Sequence, residues 1–238
     1  MPQPALRFQQ IVKRYGKHDA LCGVSLDVEE GAFFALVGMN GAGKTTLLKS
    51  LLDFCAVDGG DIRIAGQPHR DTRARAGLAF LPERFSPPYY LTGREFLRYL
   101  LALHQRIRGT DEVLSALAAL DLDAAALDKP VRAYSKGMTQ KLGLAAAFLS
   151  GKKLLVLDEP MSGLDPKARA LVKRYLQRLK TEGATLFFST HMLPDVEELC
   201  DRMAILHRGE VRFAGSPGEC RQRFGASTLE EAYLNCIE

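Results

Sequence analysis

The 238-residue sequence has no long apolar run. Its most hydrophobic stretches, 144–149 and 154–157, are far too short to cross a bilayer. The N-terminus, MPQPALRFQQ, lacks the apolar stretch that directs secretion. Cysteine is sparse: Cys22, Cys55, Cys200, Cys220 and Cys236 are odd in number and form no C-x-x-C pair. That argues against a disulfide framework and a zinc site, and points to reduced, mostly packed thiols. No internal repeat and no low-complexity segment is present. A net charge of +4 is too mild for a nucleic-acid-binding footprint, so no nucleic acid is expected as a partner. What remains, 47% hydrophobic and 25% charged residues, is the composition of a globular protein with a real core. The chain reads as cytosolic unless a partner holds it elsewhere.

Short β-like pieces at 6–8, 25–28, 33–37 and 62–65 alternate with turns in the first sixty-odd residues. Three apolar strand candidates follow at 154–157, 185–189 and 203–206, with helical periodicity between them, Leu171, Tyr175 and Leu179 sharing one face. Apolar strands alternating with helices predict a parallel sheet covered on both faces. Between about 84 and 150 the pattern is helical only: Phe96, Leu100, Leu103 and Ile107 recur at helical spacing, then Val113, Leu117 and Leu120, then Met138, Leu142, Ala145 and Leu149. Such a block inside an α/β chain reads as an inserted subdomain.

The strongest chemical signal is GMNGAGKTT at 38–46, between the apolar strand 33–37 and a helix-compatible 47–52. G-x-x-x-x-G-K-[ST] in a strand–loop–helix setting is a phosphate-binding loop. Gly38, Gly41 and Gly43 let the backbone curl so that N–H groups point at phosphate oxygens. Lys44 supplies a point charge to the β- and γ-phosphates, and the Thr45 hydroxyl is a ligand for Mg²⁺, which prefers oxygen and retains water. The second signal is LLVLDEP at 154–160, a strand ending in two carboxylates at the edge where doubly wound sheets bind ligands. Asp158 suits a residue that holds Mg²⁺ through water, and Glu159 a base that orients or deprotonates an attacking water. His191 closes the strand 185–189 at the same kind of edge, where it can donate to a γ-phosphate. In YSKGM, 134–138, Ser135 can cap the helix that follows and Gly137 allows a close backbone approach, leaving free N–H groups for an anion.

Taken in order, the phosphate loop, inserted helices, YSKGM, LLVLDEP, SGLD (162–165) and STH (189–191) resemble the ATP-binding subunit of an ABC transporter. Lys44 and Asp158 stand 114 positions apart, room for the helical insertion; Ser135 and Asp158 are 23 apart, one helix plus a turn. The resemblance implies an α/β fold with a P-loop NTPase (RecA-like) core, an N-terminal antiparallel β-subdomain and an α-helical subdomain at 84–150. All belong to a single ABC ATPase domain of 1–238, with a short C-terminal tail at 216–238. It also implies ATP and Mg²⁺ as cofactors. The site assigned by resemblance comprises Tyr15 stacked on adenine, Asn40 and Ala42 with the glycines of the loop, and Thr46 near the α-phosphate. Lys44, Glu159 and His191 act in catalysis, and Thr45, Asp158 and Glu83 serve the metal. Ser135, Gly137 and the D-loop Asp165 would act in trans on the nucleotide of a second subunit, so that two chains, as a homodimer or paired with a related ATPase, sandwich two ATP molecules head to tail.

Two departures mark a branch. YSKGM has Lys136 and Met138 where the family usually has glycine and glutamine. FLPER (80–84) places Glu83 where glutamine is common; a carboxylate accepts from Mg²⁺-bound water but cannot donate as an amide does. Both features, with STLEEAYL at 227–234, resemble ATPases of ABC-2-type exporters. The expected partner is therefore an ABC-2-type transmembrane permease that holds the subunit at the cytoplasmic face of the membrane, and no long C-terminal regulatory domain is expected. A remodelling or cluster-assembly ATPase and a non-hydrolysing regulator are the alternatives. The loop RFSPPYYLTGREF (84–96) presents Tyr89 and Tyr90 stiffly beside two prolines, or else tucks them against Phe96 and Leu100.

Overall fold

The computed structural model describes residues 3–238. Two sheets organise it. Strands β1 (Leu6–Tyr15), β2 (His18–Val28), β4 (Gly59–Ile64) and β5 (Gln67–Pro68) form an antiparallel sheet in the order β2-β1-β4-β5. The larger sheet contains β3 (Phe33–Val37), β6 (Leu78–Leu81), β7 (Leu154–Asp158), β8 (Thr185–Thr190), β9 (Arg202–His207) and β10 (Glu210–Gly215), ordered β10-β9-β3-β8-β7-β6. All its pairs are parallel except the edge pair β9–β10. This is the expected RecA-like α/β core with an antiparallel N-terminal sheet.

The central strands read as continuous apolar runs because both faces of the large sheet are covered. Successive side chains point to opposite faces, so β3 sends Phe33, Ala35 and Val37 to one core and Phe34 and Leu36 to the other. β7 divides likewise, with Leu155 and Leu157 opposite Leu154 and Val156. On one side lie the antiparallel sheet and α1 (Lys44–Leu51); on the other lie the remaining long helices. α2 (Thr72–Arg75) is a single turn before β6.

Between β6 and β7 the chain forms α3 (Gly93–Leu103), α4 (Thr110–Ala119), two 3₁₀ turns and α5 (Lys136–Leu149). Then α6 (Pro166–Thr181) and α7 (Leu193–Leu199) flank β8, and α8 (Pro217–Arg223) and α9 (Leu229–Ile237) end the chain. α3 stops at Leu103, although Ile107 continues its apolar period. Gln105 takes a left-handed φ of 55° and the Arg106 amide bonds back to the Leu101 carbonyl at 2.8 Å, a helix-terminating geometry. Ile107 consequently points away from the core and is 99% exposed. The buried stripe of α6 is Ala168, Val172, Tyr175 and Leu176, with Leu171 and Leu179 only partly covered. Tyr175 stacks on Phe148 of α5 at 4.5 Å.

α5 approaches the large sheet closely at Gly143. A Cβ there would lie 2.7 Å from Leu81 Cδ1 and 2.8 Å from Phe85 Cδ1, so no larger residue fits without displacing the helix. Phe85 in turn packs edge-on against Phe96 at 5.5 Å, occupying the place that Tyr89 and Tyr90 could have taken. Those two tyrosines pair with each other at 5.5 Å and stand 67% and 68% exposed. The cysteines are free thiols, and burial pushes Cys200 and Cys220 upward in pKa, away from reactivity.

Candidate functional site

The phosphate loop leaves β3 at its C-terminal end and runs directly into α1. Gly38 is pressed so close to β9 that a Cβ would lie 2.4 Å from the Leu206 carbonyl oxygen; at Gly43, with φ 109°, it would lie 2.6 Å from that of Ala20. Gly43 is also the N-cap of α1 and has no side chain to offer, while the first turn contains no acidic residue. The first amides of α1 are therefore left to a ligand, and the helix dipole favours an anion there. Ala42 is buried beneath the loop, its carbonyl accepting from the Gly209 amide at 3.0 Å.

A cavity of about 420 Å³ opens over this loop. Of the residues singled out in the sequence it is lined by Tyr15, Asn40, Gly41, Gly43, Lys44, Thr45, Thr46, Glu83 and Glu159. Four further residues, His18, Ala20, Met39 and Arg84, line it without having been singled out as site residues in the sequence. Tyr15 is half exposed at the rim, its hydroxyl end beside Cys55 and Thr46. Lys44 is buried, and its ammonium donates to the Gly38 carbonyl at 2.6 Å while lying 3.5 Å from a Glu159 carboxylate oxygen.

The two carboxylates at the end of β7 occupy different surroundings. Asp158 is 2% exposed and faces Ser189 across the parallel ladder. The Ser189 hydroxyl donates to Asp158 Oδ1 and accepts from the Glu159 amide at 3.0 Å. Burial pushes the Asp158 carboxyl above its ordinary range, the charges of Glu83 and Glu159 push it further, and hydrogen bonds from Ser189 and Thr45 oppose them. Glu159 has a left-handed φ of 47°, uncommon for a residue with a side chain and a mark of functional strain. The turn swings its carboxylate between Lys44 and His191, whose Nδ1 is 3.0 Å away. Since a carboxylate only accepts, Nδ1 is the donor, and Nε2 can donate as well only in the imidazolium form.

Thr45 and Asp158 fit Mg²⁺. They bring a hydroxyl and a buried carboxylate together, with Glu83 close enough to be felt by Asp158. Among the described residues no three acidic, histidine or cysteine side chains converge to cage a metal unaided. A hard cation bound through one or two protein oxygens plus phosphate and water needs no such cage.

Ser135, Gly137 and Asp165 do not line this cavity. Ser135 caps α5, its Oγ accepting from the Met138 amide at 3.2 Å, and Asp165 caps α6, accepting from the Ala168 amide at 2.9 Å. A Cβ on Gly137 would meet nothing nearer than the Gly163 carbonyl at 3.6 Å, so its own chain does not demand glycine. Lys136 uses its aliphatic stem: Cε would lie 2.9 Å from a Cβ on Gly163, so the lysine covers the SGLD loop as the more usual glycine could not. Gln140, buried in α5, donates to the Pro160 carbonyl at 2.8 Å and ties the helix to the end of β7.

The comparisons with known proteins bear on the family and the fold. Residues 21–162 match the family model described as ABC transporter. An uncharacterized ABC transporter ATP-binding protein of Synechocystis sp. is 42% identical over 207 residues, 85% of this chain and 58% of that protein. Nod factor export ATP-binding protein I of Paraburkholderia xenovorans is 36% identical over 225 residues, 91% of this chain and 72% of that one. A solved ATP-binding subunit of an ABC transporter superposes with a TM-score of 0.88 at 31% identity, covering 98% of this chain and 99% of its own. The chain spans about three-fifths of the length of the first of these curated relatives. It belongs to the ABC transporter family, as an ATP-binding subunit. Tyr15, Asp165 and His191 lie outside the matched segment.

The raised Asp158 carboxyl has a measurable consequence. Its folded value lies above its unfolded one, so the native state binds the extra proton and loses stability as pH rises through that interval. Asp158→Asn keeps an acceptor for Ser189 and removes the buried charge. The nucleotide- and metal-free variant should melt a few degrees above the parent at neutral pH, the gain shrinking as pH falls to the ordinary carboxylate range. Thermal unfolding across that pH span decides it: a variant that melts lower at neutral pH contradicts the assignment.

Proposed function

We propose that this chain is the ATP-hydrolysing motor subunit of an ABC exporter. The observation that carries the reading is Glu159, turned by its left-handed backbone so that its carboxylate sits between Lys44 and His191. Tyr15 takes the adenine face, the backbone of 38–46 cradles the phosphates, Lys44 contacts the β- and γ-phosphates, and Thr46 stands near the α-phosphate. Thr45 and Asp158 would hold Mg²⁺, Glu83 would serve it by accepting from water, and the ion would neutralise charge on the triphosphate. Glu159 takes a proton from the attacking water as that oxygen bonds to the γ-phosphorus and the bond to the bridging oxygen breaks. His191 holds the Glu159 carboxylate and, as imidazolium, donates to the γ-phosphate. Glu159→Gln should retain ATP binding and lose about 10²–10⁴-fold in turnover, the share of a positioned base. Nucleotide binding measured beside steady-state ATPase checks this, and a parental rate removes Glu159 from the role.

The position of Ser135 and Gly137 supports a site shared with a second subunit. Both stand at the N-terminus of α5, apart from the cavity of their own phosphate loop, with room over Gly137 for a ligand. In a head-to-tail pair of two copies, or of this chain and a related ATPase, they would meet the γ-phosphate on the partner, with Asp165 at the junction. ATP closes the pair and hydrolysis opens it. Ser135→Arg should bind ATP as a monomer without pairing around it. Mixing it with Lys44→Ala leaves one composite site with both halves intact, and ATP-dependent pairing should reappear in that mixture on size-exclusion chromatography. Its absence, with hydrolysis by the parent chain independent of protein concentration, argues for a site complete in one subunit.

The partner in the membrane is read as an ABC-2-type permease, the direction of transport as export; the relatives named for Nod factor export support that direction. No helix among the described residues is long and apolar enough to cross a membrane, so in this reading the permease holds the subunit at the cytoplasmic face. Within a single ABC ATPase domain of 1–238, the segment 84–150 acts as the inserted helical subdomain and 216–238 as a short tail. The exposed Tyr89–Tyr90 pair follows Glu83 by a few residues and offers amphipathic rings of the kind that anchor interfaces. Replacing both with serine should leave the melting temperature and its rise with Mg-ATP unchanged while reducing co-purification with the permease. Unchanged co-purification removes the pair from the interface.

A further inference from the structure

Beside Glu159 and His191 lies a second, smaller chamber of about 140 Å³, bounded also by Ser162, Arg169 and Asp195. Glu159 lines both this chamber and the nucleotide cavity. Asp195, in the chamber wall, is 3% exposed, a carboxylate almost out of water. Arg169 Nη2 donates to its Oδ2 at 2.6 Å, and Lys173 Nζ stands 3.8 Å from its Oδ1. Lys173 also pairs with Glu198. Two cations one turn apart on α6 therefore clasp two carboxylates one turn apart on α7.

The clasp bears on the segment that enters α7. His191 lies four residues before Asp195, and α7 begins without a side-chain cap. Its entry is held by the Thr190 hydroxyl, which accepts from the Met192 amide at 3.0 Å, and by Asp195 in the first turn. The His191 side chain is 52% exposed, so packing does not fix its ring. Its Nδ1 meets Glu159 because the backbone leading into α7 is held in place. Apolar contact between two helices resists separation but tolerates sliding, whereas a charged hydrogen bond fixes distance and direction. We propose that Arg169 and Asp195 are positioning residues for ATP hydrolysis, their ion pair setting His191 against Glu159. The inference rests on the roles proposed for Glu159 and His191; neither Arg169 nor Asp195 lines the nucleotide cavity.

Folds often tolerate replacement of a buried ion pair by apolar residues of similar size, but not removal of one partner. The double variant Arg169→Met, Asp195→Leu should therefore keep its melting temperature within a few degrees, and its ATP affinity should match the parent's. Its kcat should fall about tenfold, the cost of a slightly misplaced catalytic group. In a Glu159→Gln background the same replacement should cost less than about twofold, because the base that His191 holds is already gone. Parental kcat in the double variant overturns the inference, as do equal losses in both backgrounds or a loss explained by unfolding; Glu159→Gln would still be impaired. A parental rate in Glu159→Gln alone overturns the proposed function and this inference together. Arg169→Lys leaves Asp195 a cation but removes the guanidinium fork, so it decides the matter even if the double variant fails to fold. Its kcat should drop several-fold, and nitrogen-15 spectra of its histidines should lose the Nδ1–H signature that the parent shows at His191. A parental spectrum and kcat in Arg169→Lys also overturn the inference.

Discussion

Asp158 is a carboxylate almost sealed from water, and one hydroxyl makes that placement workable. Ser189 stands opposite it in the parallel ladder, donates to it, and accepts from the amide of Glu159. A single side chain thus sets the position of both acidic residues and satisfies a backbone donor that the left-handed turn at Glu159 would otherwise leave buried and unpaired. The phosphate loop depends on the same strand: β3 pairs with β8 so that Val37 is level with Thr190, and the Gly38 amide reaches the Thr190 carbonyl at 3.4 Å. Parallel pairing brings the C-terminal ends of β3, β7 and β8 to one edge, where the three pieces of chemistry meet.

This edge is costly to build. A left-handed residue with a side chain costs on the order of 1–3 kcal/mol, and taking charges such as Asp158, Glu159 and Lys44 out of water opposes folding unless each is paired or hydrogen-bonded. The partners are present but incomplete. Lys44 spends its donors on the Gly38 and Met39 carbonyls at 2.6 and 3.3 Å, and its carboxylate neighbour is 3.5 Å away. Groups held this way are ready to exchange weak internal contacts for a triphosphate. The two cores that sandwich the large sheet, almost wholly aliphatic and aromatic, supply the compensating stability.

α5 carries the relation between this edge and the helical segment. Its N-terminus bears Ser135 and Lys136, its middle is fixed to Pro160 through Gln140, and Gly143 seats it against Leu81 and Phe85. These contacts tie α5 to the end of β7 and seat it beside β6. Lys136 adds a contact of its own to the SGLD loop. A substitution that looks like a departure from the family's glycine therefore has a packing role inside this chain.

Much of the site was legible because its signals are local. The loop 38–46, the apolar strand ending in Asp158 and Glu159, and the serine before α5 each combine a residue pattern with a strand or helix boundary only a few positions long. The strand 33–37 was legible to the residue, being buried on both faces. Other elements were not. β6 has only four residues and β10 lies at an edge; β1 and β2 extend well beyond 6–8 and 25–28 because bulges, one at the left-handed Gln10, interrupt their alternation. Ile107 kept the helical period after the chain had already turned at Gln105, since periodicity records polarity and not φ. The roles of Ser189 and Gln140, and the stem of Lys136 over Gly163, rest on contacts between segments far apart in sequence or across a loop. The sequence by itself determined which side chains could hold a phosphate, a metal or a proton, because those capacities belong to residue types at short spacing. Only the tertiary structure decided which of them meet, because the pairing of β3, β7 and β8 is a long-range choice made by burying both faces of one sheet.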